Sequence, residues 1–186
     1  MIAIPFNPTM IAVTCLWTLV RAFFWIRAKQ ICFRREAQLL LVYICIMVIA
    51  RCTFFPFSKV DGQVQPLLFD AAQIIPFRIN LIPFVNLMDY PEFREAMINV
   101  IGNTTMFIPL GIVWPAVFRQ LNKPWKVIAA GVGVSLTIEI LQLPFYGRAT
   151  DIDDLILNSA GFLVGYGIYL LVRAIASAVR KRRQLT

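Results

Sequence analysis

Five uninterrupted apolar stretches leave this chain little choice of solvent. They run from Thr9 to Ile26, Ala37 to Phe57, Ala96 to Phe118, Pro124 to Phe145 and Leu155 to about Ala176. Each holds roughly the 20 residues that an α-helix needs to cross a hydrocarbon layer of about 30 Å. Backbone amides find no water in that layer, so only helices and closed barrels cross it. A barrel would be written as alternating segments of about ten residues, and these runs are longer and do not alternate. The expectation is an all-α integral membrane protein, a bundle of about five transmembrane helices forming one domain over residues 1–186. A content of 59% hydrophobic residues and a mean hydropathy of +0.72 agree, because a soluble surface needs more charge.

The basic residues flank the runs. Arg27, Lys29, Arg34 and Arg35 follow the first, Arg119, Lys123 and Lys126 separate the third from the fourth, and Arg180, Lys181, Arg182 and Arg183 follow the last. The alternate connections are poorer: none before Thr9, then Lys59, Arg78 and Arg94 in one long loop, and Arg148 before the last run. Positive residues stay in the cytoplasm, which predicts an outside N-terminus and a cytoplasmic C-terminus in a multi-pass protein of the cell membrane. The formal charge of +8 is thus topological, and no nucleic acid partner is expected. Nothing basic precedes the first run, which reads as a reversed anchor and not as a cleaved signal. Arg21 lies near the end of that run and is expected to snorkel, with Trp25, Trp114 and Trp125 as interfacial anchors.

Cys15, Cys32, Cys45 and Cys52 form no CxxC pair, and the chain has no histidine. That removes a Cys/His zinc set, a Ser-His-Asp triad and a Cys-His nucleophile. The cysteines read as packing, and any chemistry would fall to carboxylates, arginine, asparagine or a bound metal. The loop from Ser58 to Glu95 contains LLFDAAQIIPFRINLIPF, too apolar for a solvated linker. Pro66, Pro76 and Pro83 cut it into pieces too short to span, so interfacial or re-entrant segments are expected.

Polar groups inside the runs decide the rest, since a charge in hydrocarbon costs about 2.5 to 3.5 kcal/mol on insertion scales. Arg51 and Glu139 fall at matching depth on the second and fourth spans, and an ion pair between them is the economical structural reading. Ser135, Glu139 and Gln142 share one face of the fourth span, and Asn99 and Asn103 one face of the third. The last span opens with Asp151, Asp153 and Asp154 and places Asn158, Gly161 and Gly165 below Asp154. Capping of a helix N-terminus explains one or two of the aspartates, not the whole cluster. The GxxxG spacing of Gly161 and Gly165 predicts close helix packing and offers a surface for dimerisation.

Four segments carry a resemblance: NLIPF at Asn80 to Phe84, NxxxNxxxFIPLG at Asn99 to Gly111, SLTIEILQ at Ser135 to Gln142, and GRATDIDDLILNSAGFLVGY at Gly147 to Tyr166. In this order the chain resembles the VanZ-like family over roughly its last 110 residues, while the first two spans fit by hydropathy alone. The resemblance implies a bacterial envelope membrane protein contributing to low-level resistance to teicoplanin, a lipoglycopeptide. On matching positions it names Asn80, Pro83, Asn103, Glu139, Gln142, Arg148, Asp151, Asp153, Asp154 and Asn158 as the functional set.

Two functions then compete. One is a non-enzymatic factor whose outward polar pocket engages a lipid headgroup, a lipid-linked envelope precursor or the drug, with Arg51 and Arg148 holding phosphate or carboxylate and Asn80, Asn99, Asn103, Ser135, Glu139, Gln142 and Asn158 orienting the rest. The other is an enzyme acting on lipid-linked envelope substrates. In it Asp151, Asp153 and Asp154 bind a divalent cation, or act with Glu139 as an acid/base pair. The non-enzymatic reading is preferred. A transporter is disfavoured by the lack of inverted repeats.

Overall fold

The computed structural model describes residues 1–55, 59–60, 62–75, 79–88, 90–118, 120–121, 123–148 and 150–184, with backbone alone at 59–60 and 86–87. Phe57, Ser58, Pro76, Arg78 and Arg119 of the sequence reading lie outside the described residues. Six α-helices are described: α1 Phe6–Ala28, α2 Phe33–Phe54, the short α3 Val85–Met88, α4 Phe93–Val117, α5 Pro124–Gln142 and α6 Ile152–Arg183. Among the described residues, five of them are long and apolar enough to cross a membrane. Each covers one of the expected runs with ends moved by a few residues. α6 departs most, carrying its helix through the basic cluster to Arg183.

Local chemistry sets the ends. Pro5 precedes α1 with the extended backbone that proline fixes. Lys29 closes α1 in the left-handed region, its N–H returning to the Trp25 carbonyl. Pro109 and Pro115 lie inside α4, a placement that membrane helices tolerate when neighbours re-satisfy the backbone.

Two compact units result: Met1–Ile79 with Ile140–Thr150, and Asn80–Glu139 with Asp151–Thr186. In the first unit, α1 carries no buried residue and is held to α2 by spaced side-chain clasps. Arg21 grips Glu36 with two hydrogen bonds of 2.8 and 2.5 Å. The Thr14 and Tyr43 hydroxyls lie 2.6 Å apart, the Trp17 and Tyr43 rings meet at 4.6 Å with a tilt of 31°, and Phe6 meets Phe55 edge-on at 5.1 Å. Arg21 therefore has a partner across the helix pair, beyond the snorkelling expected of it. Arg21→Met should lower stability by about 1 to 3 kcal/mol, a buried-pair cost discounted for partial exposure. Arg21→Met/Glu36→Leu should recover most of it in thermal melts of the purified protein.

The long loop, expected to hold interfacial or re-entrant segments, adopts short pieces. Leu67–Phe69 pairs antiparallel with Ile2–Ile4, Ile4 facing Leu67 and Ile2 facing Phe69. The Leu68 carbonyl accepts from the Tyr146 amide at 2.8 Å, and the Asp70 amide donates to the Pro144 carbonyl at 2.8 Å. Pairing of this kind satisfies backbone groups that an apolar loop would otherwise leave open. Lys59–Val60 pairs with Gln63–Val64 beside Gly62 at φ 74°, and a 3-10 turn follows at Ala71–Gln73 under the Asp70 side chain.

The second unit is organised by α4 against α6. A Cβ placed on Gly161 would stand 1.9 Å from the Thr104 carbonyl oxygen, and one on Gly165 2.1 Å from that of Ile108. Gly111 gives the same closeness from the other side, its notional Cβ 2.1 Å from the Phe162 carbonyl oxygen. Lipid tails are as apolar as leucine, so small residues that let backbones touch are what hold such helices together. Phe162 fills the space beside Gly131 of α5 and lies 1% exposed, with Phe107 and Leu110 of α4 fully buried near it. Trp114, expected at the interface, instead sets its ring 6.3 Å from that of Phe162. The glycine face that the sequence offered to a second copy is occupied by α4 of the same chain.

Candidate functional site

The polar side chains singled out in the sequence divide between the two units. Three lie in the first unit at the end of α2, where the last four carbonyls of a helix have no partner within it. Gln142, itself buried, donates from Nε2 to the Thr53 carbonyl at 2.7 Å. Arg148 donates from Nη2 to the Phe54 carbonyl at 3.0 Å. Arg51 donates from Nη1 to the Phe55 carbonyl at 2.9 Å and lies 5.2 Å from the Phe6 ring centroid. Those bonds give all three a structural task. Gln142→Leu leaves the Thr53 carbonyl buried and unpaired, so a loss of about 1 to 3 kcal/mol is expected; denaturation of the purified variant measures it.

The others gather in the second unit around the start of α6. Asp151 is the N-cap: its Oδ1 accepts from the Asp153 amide at 3.0 Å, satisfying one of the open N–H groups of the first turn. The same Oδ1 accepts from Asn80 Nδ2 at 3.3 Å, and the Asp151 amide donates to Glu139 Oε2 at 3.0 Å. Glu139 is 2% exposed. One aspartate thus ties α6, α5 and the segment at Asn80 together.

Asp153 and Asp154 do other work. Asp153 Oδ1 accepts from the Phe84 amide at 2.6 Å. Phe84 stands at φ 67°, a left-handed conformation uncommon for a residue with a side chain. Pro83 lies exposed just before it, and Asn80 Oδ1 closes the same turn by accepting from the Ile82 amide at 3.1 Å. Asp154 Oδ1 accepts from Asn103 Nδ2, which also donates to Asn99 Oδ1 at 3.3 Å. Asn99 Nδ2 continues the chain to the Tyr90 hydroxyl at 3.1 Å. Partial burial, and after it the charge of Asp154, raise the Tyr90 phenol above its ordinary range.

Deeper on the same helices Asn158 Nδ2 donates to Ser135 Oγ at 3.1 Å, both residues fully enclosed. Two acceptors in this layer, Asp153 Oδ2 and Asn158 Oδ1, are buried and find no hydrogen-bond partner among the described residues. Acceptors left so are costly unless a donor arrives. The three aspartates turn to the Asn80, Phe84 and Asn103 donors. Among the described residues no group of three or more His, Cys, Asp or Glu side chains is placed to hold a metal ion.

Sequence reasoning missed Tyr90 and the Phe84 amide. Tyr90 lies in an irregular stretch with no periodic signal, and a backbone donor has no residue type to betray it.

Five spanning helices, and a polar layer buried where lipid would otherwise meet it, define a multi-pass helical membrane protein. The chain belongs to the VanZ/LLP1 family, which matches residues 40–173. It is similar to Protein VanZ of Enterococcus faecium, 37% identical over 91 residues that make up 49% of this chain and 52% of that protein. The chain therefore spans about half the length of this relative. No solved structure matches it.

Proposed function

We propose that the chain is a bacterial cell-envelope membrane protein that contributes to low-level resistance to teicoplanin and related lipoglycopeptides without chemical turnover. Its polar layer around Glu139, Asp151, Asp153 and Asn158 binds a lipid headgroup, an envelope precursor or the drug. The single observation that carries this reading is the pair of buried acceptors at Asp153 Oδ2 and Asn158 Oδ1, which lack a donor among the described residues. A ligand bearing hydroxyl or amine donors answers them. The family supports the envelope setting. Orientation follows the basic residues, with Arg180 to Arg183 cytoplasmic and the aspartate-bearing start of α6 outside; reporter fusions after Lys29 and after Arg183 should both read as cytoplasmic.

The test is drug susceptibility. Expression in a susceptible host should raise the inhibitory concentration of teicoplanin more than that of vancomycin, with lipid intermediates unchanged. Glu139→Ala should remove the difference while the protein still reaches the membrane. Equal shifts for both drugs defeat the reading, and altered lipid intermediates would instead favour an enzyme.

A further inference from the structure

We propose, resting on the binding role given above to the polar layer, that its ligand is recognised through a primary ammonium group on Asp153 Oδ2 and enters by lifting residues 81–84 off that carboxylate. Of the two orphaned acceptors, Asp153 Oδ2 is the one that belongs to a carboxylate. The side chain is enclosed, and among the described residues only its Oδ1 has a donor, the Phe84 amide at 2.6 Å.

The dipole of α6 favours negative charge in its first turn. Capping does not complete the group, however: the cap is Asp151, and a dipole gives Oδ2 no hydrogen bond. Bonds in which a partner is ionised are shorter and about twice as strong as neutral ones. An enclosed carboxylate oxygen therefore prefers an ammonium, with three N–H donors and the opposite charge, to a hydroxyl. A quaternary ammonium has the charge but no N–H to give, so the site distinguishes it from a primary one.

Entry requires movement, because Oδ2 is shut off from solvent. The backbone of Phe84 lies on the carboxyl, and the segment that carries it is lightly held. Leu81 and Ile82 are mostly exposed and Phe84 is half-exposed, so apolar burial does little to keep it down. Asn80 fastens one end to Asp151 through Nδ2 and folds the turn onto itself through Oδ1 and the Ile82 amide. Asp153 fastens the other end. There Phe84 is kept at φ 67°, where a residue with a Cβ is strained, so release from Asp153 also relaxes the backbone. Closed, the strap lends the carboxylate one N–H; lifted, it leaves both oxygens to the ammonium.

The experiment follows deuterium exchange at the Phe84 amide in the full chain, reconstituted in phosphatidylcholine vesicles. Adding phosphatidylethanolamine, which bears a primary ammonium, should speed exchange there about tenfold, because the strap is held off. Phosphatidylglycerol, which offers hydroxyls alone, should leave the rate unchanged. Free ethanolamine on both faces of the vesicle separates the sources: a response to it without the lipid assigns a soluble amine, and a response to the lipid alone assigns a headgroup. Asp153→Asn keeps the Oδ1 acceptor for Phe84 but can turn an N–H toward the amine, so exchange should start slow and not respond. Where that variant fails to fold, Phe84→Gly serves: glycine takes the left-handed conformation without strain, so about threefold more amine should be needed for the same response. No response to either amine, an equal response to phosphatidylglycerol, or a response retained in Asp153→Asn overturns the proposal. A teicoplanin effect lost in Asp153→Asn while amines leave Phe84 untouched defeats the ammonium and leaves the binding role standing. An amine response in a chain with no teicoplanin effect does the reverse.

Discussion

Gly161→Val is expected to prevent α4 and α6 from closing, giving protein that aggregates on extraction and shows no cooperative melt. The argument is steric. The first added carbon would lie 1.9 Å from the Thr104 carbonyl oxygen, which belongs to a helix backbone and cannot rotate away. Overpacking a core ordinarily costs about 1 to 3 kcal/mol because side chains adjust; here one whole helix must move, and Phe107 and Leu110 of α4 and Phe162 of α6 lose their burial. The loss should exceed about 4 kcal/mol, beyond the usual range for a single substitution. Gly167 provides the control, since a Cβ there meets nothing within 4 Å. Gly167→Ala should be neutral or gain up to about 1 kcal/mol from helix propensity. A Gly161→Val protein that melts near the wild-type temperature would refute the packing described.

Asp153→Ala should free the segment from Asn80 to Phe84, and Asp153→Asn should not. The alanine removes the acceptor of the Phe84 amide, a short charge-assisted bond that helps hold a left-handed residue in place. Such a bond contributes about 1.5 to 3 kcal/mol, so the Phe84 amide should exchange with deuterium about 10 to 100 times faster. Asparagine keeps the Oδ1 acceptor and therefore the clamp. The two variants separate positioning from charge: if the polar layer binds a donor at Oδ2, Asp153→Asn keeps slow exchange at Phe84 yet loses the teicoplanin effect. Unchanged exchange in Asp153→Ala would show that the clamp does not hold the turn.

Much of this was legible in the residues because hydropathy and helical spacing are local signals. The five runs announced the five long helices, and GxxxG at Gly161 and Gly165 announced a close crossing, though not that α4 would be the partner. The i, i+4 spacings of Asn99 with Asn103 and of Ser135 with Glu139 put those side chains on faces the structure describes. What stayed hidden depends on backbone groups or distant pairings. Gln142 and Arg148 looked like ligand-holding residues, yet their described bonds go to carbonyls at the end of α2, acceptors that no sequence pattern marks. The pairing of Ile2–Ile4 with Leu67–Phe69 joins two three-residue strands far apart in sequence, too short for alternation to register.

The length of α6 has a mechanical consequence. Its 32 residues make a rod of about 48 Å, whereas a bilayer measures about 30 Å through its hydrocarbon and about 40 to 45 Å with its headgroups. With Arg180, Lys181, Arg182 and Arg183 at its far tip, that end cannot be drawn inward without dragging charge out of water. Anionic leaflet lipids add about 1 kcal/mol for each basic residue at the surface. The helix is thus a ruler pinned at its basic end, and its length sets how far from that surface Asp153 and Asn158 are held.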